Sequence, residues 1–144
     1  MMRRILKFVA IGLLIAAPAA PSAGGDERAQ RSVFVSAGRE TRIASYGAPD
    51  EKCAGRAEPT IQIVEWPSYG TLADKPVRII AEHAGVARRD HPCLGRFITS
   101  LALYYRPTAR FRGSDRIRLR VKFPATQTDE ETVIRDEEIF ITVR

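Results

Sequence analysis

The residues best suited to chemistry in this chain sit at His83 and at Asp90-His91-Pro92-Cys93. Imidazole, carboxylate and thiolate are metal-ligand types. However, His91-x-Cys93 has no second compact pair to complete a ligand set, and a disulfide would consume Cys93. Two exposed loop histidines, and no metal, are the expectation. Ser68, Ser100 and Ser114 lack the Gly-x-Ser-x-Gly setting of an activated nucleophile. Carboxylates abound in Asp129-Glu130-Glu131 and Asp136-Glu137-Glu138, but consecutive acids usually form a solvated face. No acid, base and nucleophile combination emerges, so the reading is non-catalytic, with no catalytic residue and no cofactor.

Binding surfaces are the better prospect. Arg116, Arg118, Arg120 and Lys122 alternate along one segment, with Arg110 and Arg112 just ahead of it. Projecting together, they form a candidate face for an anionic envelope polymer or an acidic protein partner. The favoured alternative is cross-strand pairing with Glu138 and its neighbours on an adjacent antiparallel strand. Trp66, Tyr69 and Tyr104 could line a sugar groove, although Trp66 is expected instead in the core, closing the end of the domain.

These groups need elements to position them. Residues 1–23 combine Arg3, Arg4 and Lys7, the apolar run FVAIGLLIAA and a small-residue zone up to Ala23. That is the pattern of a cleavable signal peptide, cut between Ala19 and Ala23. Ten apolar residues fall well short of the ~20 that span a bilayer, so no stable membrane span is expected after cleavage, and the product would be periplasmic or secreted. The net charge of +6 drops to +3 once the three basic residues of that segment are removed. Such a balance leaves no electrostatic footprint for nucleic acid. In an exported chain Cys53 and Cys93, each on a loop, are expected to pair.

Residues 24–31 read as a flexible tail and residues 32–144 as a single domain. Strands are expected at Ser32–Ala37, weakly at Arg39–Ser45, then at Thr60–Trp66, Thr71–Leu72, Val77–Glu82, Phe97–Arg106, Ser114–Phe123 and Glu137–Val143. Leu101, Leu103 and Tyr105 form the inward set of the Phe97 strand. In Ser114–Phe123, Ile117, Leu119, Val121 and Phe123 share one face and the basic residues the other, the period of a sheet with one dry side. No helical period is sustained. The fold class is therefore all-β, an antiparallel β-sandwich.

Pro67-Ser-Tyr-Gly70-Thr71-Leu72, followed by Tyr105-x-Pro107-x-x-x-Phe111-x-Gly113-x-Asp115, resembles secreted bacterial immunoglobulin-like domains of the cadherin-like type. The likeness spans Ile61 to Arg144 and implies an immunoglobulin-like sandwich. It assigns structural roles: the Tyr105 hydroxyl to loop backbone, Pro107 as strand end, Phe111 as end plug, Gly113 as a special backbone position, and Asp115 as acceptor for loop amides. The chain has a single copy and no acidic Asp-x-Asn-Asp linker, so calcium and a stalk role are not implied. The resulting expectation is an exported binding or structural domain of the cell envelope; it names no ligand and no oligomeric state. The alternative is an accessory or inhibitor-like domain acting on an envelope enzyme through the disulfide-tethered loops.

Overall fold

Alternation in Gly113–Phe123 sets the centre of the fold. The computed structural model describes residues 28–54, 58–125 and 131–144. The expected export signal, the tail up to residue 27 and the acids Asp129 and Glu130 lie outside these residues. The central strand buries Asp115, Ile117, Leu119, Val121 and Phe123 and turns Arg116, Arg120 and Lys122 outward. Numbered along the chain, the strands are β1 (Ala29–Val35), β2 (Thr41–Tyr46), β3 (Thr60–Glu65), β4 (Gly70–Ile80), β5 (Phe97–Pro107), β6 (Gly113–Phe123) and β7 (Val133–Val143), with one 3₁₀ turn at His83–Gly85. They form two sheets, ordered β1-β7-β6-β3 and β2-β5-β4. The result is a β-sandwich.

Three departures from the sequence reading have physical causes. The tail does not end at residue 31: Ala29, Arg31, Val33 and Val35 share a partly or fully buried face, and β1 pairs in parallel with β7 from Ala29↔Glu137 to Val35↔Val143. That parallel pair makes the first sheet mixed, where an all-antiparallel one was expected. Thr71–Leu72 and Val77–Glu82 join into the continuous β4, paired with β5 straight through Pro76↔Leu101. β4 is an edge strand, the position in which a proline costs the sheet no ladder donor.

The main core lies between the sheets, where Ile117, Leu119 and Phe123 of β6 and Ile139 and Ile141 of β7 meet Ile43, Tyr46, Leu103 and Tyr105. A second, smaller core joins the disulfide Cys53–Cys93 to Ala81, Val86 and Ile98. Both draw on β5. Its buried residues are Ile98, Ser100 and Ala102, then Leu103, Tyr105 and Pro107, and the β4–β5 register has no bulge. Side chains alternate, so the dry face changes sides at Ala102/Leu103: one half of β5 faces the opposite sheet, the other lies under the disulfide-tied loops. Leu101, expected to be inward, is only half-buried for this reason.

One close approach fixes the start of β4. A β-carbon on Gly70 would lie 2.4 Å from Cε2 and 2.6 Å from Cζ of Tyr105, and 2.7 Å from the Arg106 carbonyl oxygen. Tyr105 is fully buried and cannot swing aside. Gly70→Ala is therefore expected to destabilise the protein by about 1–3 kcal/mol, the range of core overpacking, read as a lower urea midpoint at unchanged slope. An unchanged midpoint would mean that the β4 terminus yields freely.

Candidate functional site

The residues singled out in the sequence divide into two constellations. The first is structural and gathers on Asp115. Its Oδ1 accepts the backbone N–H groups of Ser68 (3.0 Å) and Arg116 (2.9 Å), and its Oδ2 accepts the N–H of Tyr69 (2.9 Å) and the hydroxyl of Tyr105 (2.8 Å). The Tyr105 hydroxyl thus reaches the carboxylate and not the loop backbone expected for it. Burial opposes the charge on Asp115, yet the Ser68, Tyr69, Tyr105 and Arg116 donors together hold its carboxyl below the usual range. Burial and the Asp115 carboxylate push the Tyr105 hydroxyl upward, so it stays a donor. Phe111 stacks on Tyr69, with ring centroids 4.2 Å apart and planes 7° from parallel. Pro107 closes β5 opposite Gly70. Gly113 has φ +135°, a conformation that a β-carbon disfavours.

The second constellation is the basic face of β6. Arg116 Nη2 donates to Glu65 at 2.8 Å, and Nη1 lies 3.5 Å from Glu138. Arg118 Nε lies 2.7 Å from the other Glu65 oxygen, an ion-pair distance without hydrogen-bond alignment. Arg120 grips both oxygens of Asp136, at 2.7 and 2.8 Å. The guanidinium of Arg116 lowers the pKa of Glu65 through its hydrogen bond, and Arg120 does the same for Asp136. The acids of β3 and β7 therefore offset three of the six cations. Arg110, Arg112 and Lys122 are exposed and meet no acid among the described residues.

The remaining candidates fall elsewhere. Cys93 is bonded to Cys53, with Cα atoms 5.5 Å apart. His91 is buried, contrary to expectation; its Nδ1 accepts the Cys93 N–H at 3.2 Å, so it braces the disulfide loop. Among the described residues no three His, Cys, Asp or Glu side chains are placed to hold a metal. Trp66 is 65 % exposed, not the core residue expected. Tyr104 lies under Lys75, whose Nζ is 4.7 Å from the ring centre.

Sequence reasoning missed a site at the other end of the molecule. Glu137, placed in a solvated acidic run, is only 2 % exposed, and its neighbour Glu138 is also buried. One Glu137 oxygen takes the Arg31 Nε–H and the other the Tyr46 hydroxyl. Burial, then the Glu137 charge, pushes the Tyr46 hydroxyl far above the tyrosine range, so it donates here and is no base. The signal was available: Glu137 has the same parity as Ile139, Ile141 and Val143 and must point inward with them. Arg135 shares that parity. It donates to the carbonyl oxygens of Ala84 (2.9 Å), Val86 (3.0 Å) and Ala87 (3.2 Å), and its guanidinium lies 5.2 Å from the Phe123 ring centre.

These groups border an open cleft of about 1050 Å³ between β1, β7 and the 3₁₀ turn. Arg28, Arg31, His83, Arg89 and Arg135 line it, and Glu137 is its one acid among the described residues. A second cleft of about 470 Å³ shares Arg31 and Ala84 with it and adds Arg42, Arg78 and Glu82. A cluster of guanidinium groups can bind oxyanions through paired N–H donors. Both oxygens of Glu137, its one carboxylate among the described residues, are engaged by Arg31 and Tyr46. Comparison with known protein families, with curated proteins and with solved structures finds no match to this chain.

Proposed function

We propose that this is an exported, non-catalytic, immunoglobulin-like domain that binds an anionic partner in the cleft at its disulfide-tied end. The observation that carries the reading is the charge inventory of that cleft among the described residues: four arginines against one carboxylate already held by Arg31 and Tyr46. The β6 face is a weaker candidate, because Arg116, Arg118 and Arg120 already have acidic partners. The immunoglobulin-like reading draws support from the strand order. β3-β6-β7 against β2-β5-β4 matches the division of strands C, F and G from B, E and D. Export is supported by the disulfide, which persists in oxidising compartments.

A second reading, the accessory or inhibitor-like domain acting on an envelope enzyme, is favoured by one feature. Ile80 and Phe97 pair directly across β4 and β5 beside the same loops and are 49 % and 58 % exposed. Adjacent apolar side chains of this kind can anchor a protein partner. Photo-crosslinking side chains placed singly at Ala84, Phe97 and Ser114 separate the readings in envelope preparations. Adducts from Ala84 are expected. Adducts from Phe97 alone would select the second reading, and adducts from Ser114 alone would return the contact to the β6 face.

A further inference from the structure

We infer that the cleft takes an acidic polysaccharide, a hydrophilic chain bearing carboxylate, sulfate or phosphate groups; the inference rests on the anionic-partner reading above. Three features of the cleft select this class. Its charge is only partly offset by acids among the described residues. Arg135 is held by three neutral carbonyl oxygens, so it is immobilised without losing its positive charge. Arg89 meets no acid among the described residues, and Arg28 lies in the field of Asp136, which Arg120 already grips. Arg135, held in position before binding, loses little freedom when the ligand arrives.

The shape points to a polymer. A single oxyanion would leave most of a 1050 Å³ cleft empty. The neighbouring cleft continues from the shared Arg31 and Ala84 towards Arg42 and Arg78. A chain with charges at intervals could meet both sets in turn.

The lining also disfavours other polyanions. Among the described residues no Phe, Tyr or Trp side chain lines either cleft, and His83 is the one ring present, whereas single-stranded nucleic acids are held largely by stacking of successive bases on aromatic rings. The exposed aromatics Trp66 and Tyr69 are near the Asp115 constellation, which binds the Tyr69 N–H. Among the described residues the larger cleft has only Ala29 and Ala84 as apolar lining, too little to anchor the side chains of an acidic peptide there; Ile43, Ile79, Ile80 and Ile98 border the smaller one.

The test compares purified wild type with Arg28→Glu/Arg89→Glu and with Arg110→Glu/Arg112→Glu, which makes the same charge change on the β6 side. Each is titrated calorimetrically with polyuronate oligomers, heparin oligosaccharides, polyphosphate and single-stranded DNA of matched charge. For the two saccharides, Arg28→Glu/Arg89→Glu is expected to weaken binding at least about tenfold and to flatten the salt dependence by roughly one unit of slope per lost contact. Arg110→Glu/Arg112→Glu should stay within about twofold of wild type, since long-range charge is screened over about 8 Å at physiological salt. Saccharide binding unaffected by Arg28→Glu/Arg89→Glu would overturn both this inference and the cleft reading. Equal or tighter binding of DNA or polyphosphate, still lost in Arg28→Glu/Arg89→Glu, would overturn the polysaccharide class alone and leave the cleft standing.

Discussion

Asp115→Asn is expected to cost the fold about 3 kcal/mol, although the change is isosteric, because buried donors left unsatisfied each cost about 1–3 kcal/mol. The carboxylate takes the Ser68 and Tyr69 N–H groups and the Tyr105 hydroxyl, tying the β3–β4 turn to β5 and β6. An amide oxygen can serve one side of that set, but the amide nitrogen faces donors on the other. Tyr105 is fully buried, so water cannot replace the lost partner. The pH dependence carries its own sign. The Asp115 carboxyl is held low in the folded protein, so its contribution is complete above the unfolded-state pKa of about 3.9 and is lost as pH falls through the lower folded value. Urea melts at a series of acid pH values should therefore show a shallower acid limb in the variant. The limb will not vanish, since Glu65 and Asp136 are also held low by their arginines. Equal stability and an unchanged limb would mean that the constellation contributes nothing.

The disulfide should have a comparable effect with a different local signature. Cys53 and Cys93 are 40 residues apart, and closing such a loop stabilises a fold by about 4 kcal/mol in the chain-entropy model. Cys53→Ser/Cys93→Ser should lower the melting temperature by on the order of 15 °C for a domain of this size. Hydrogen exchange should quicken first around Ala81, Val86 and Ile98, which surround the bridge. The Asp115 end should stay protected until global unfolding. The bridge also steadies the 3₁₀-turn loop whose carbonyls orient Arg135, so anion affinity should fall even at temperatures where the variant is folded. A loss of stability below about 1 kcal/mol would show that the loops hold without the bridge.

Much of the scaffold was legible because its signals are local. Eight alternating residues of β6 identified its buried face, and the acids of β7 were foreseen as partners for its arginines. The spacing from Tyr105 to Asp115 marked the residues that meet at one end of the sandwich. The other end was hidden by non-local effects. β5 keeps its alternation while its covering layer changes sides, which no single-strand pattern can reveal. Glu137 stands in a run of acids whose composition reads as a solvated face, while its strand parity with Ile139 and Ile141 points it inward. The cleft draws Arg28 and Arg31 from β1 and its approach, His83 and Arg89 from one loop, and Arg135 from β7. These residues are scattered along the chain, and only the pairing of β1 with β7 and the anchoring of the 3₁₀ turn by Arg135 bring them together.

The claim that most depends on the geometry is that an oxyanion seats between β1, β7 and the 3₁₀ turn. An NMR titration of the isotopically labelled protein with pyrophosphate reads this directly, amide by amide. Saturable shifts confined to residues 28–31, 83–89 and 135 are the predicted result. Shifts concentrated between residues 110 and 122, with those three segments silent, would contradict it.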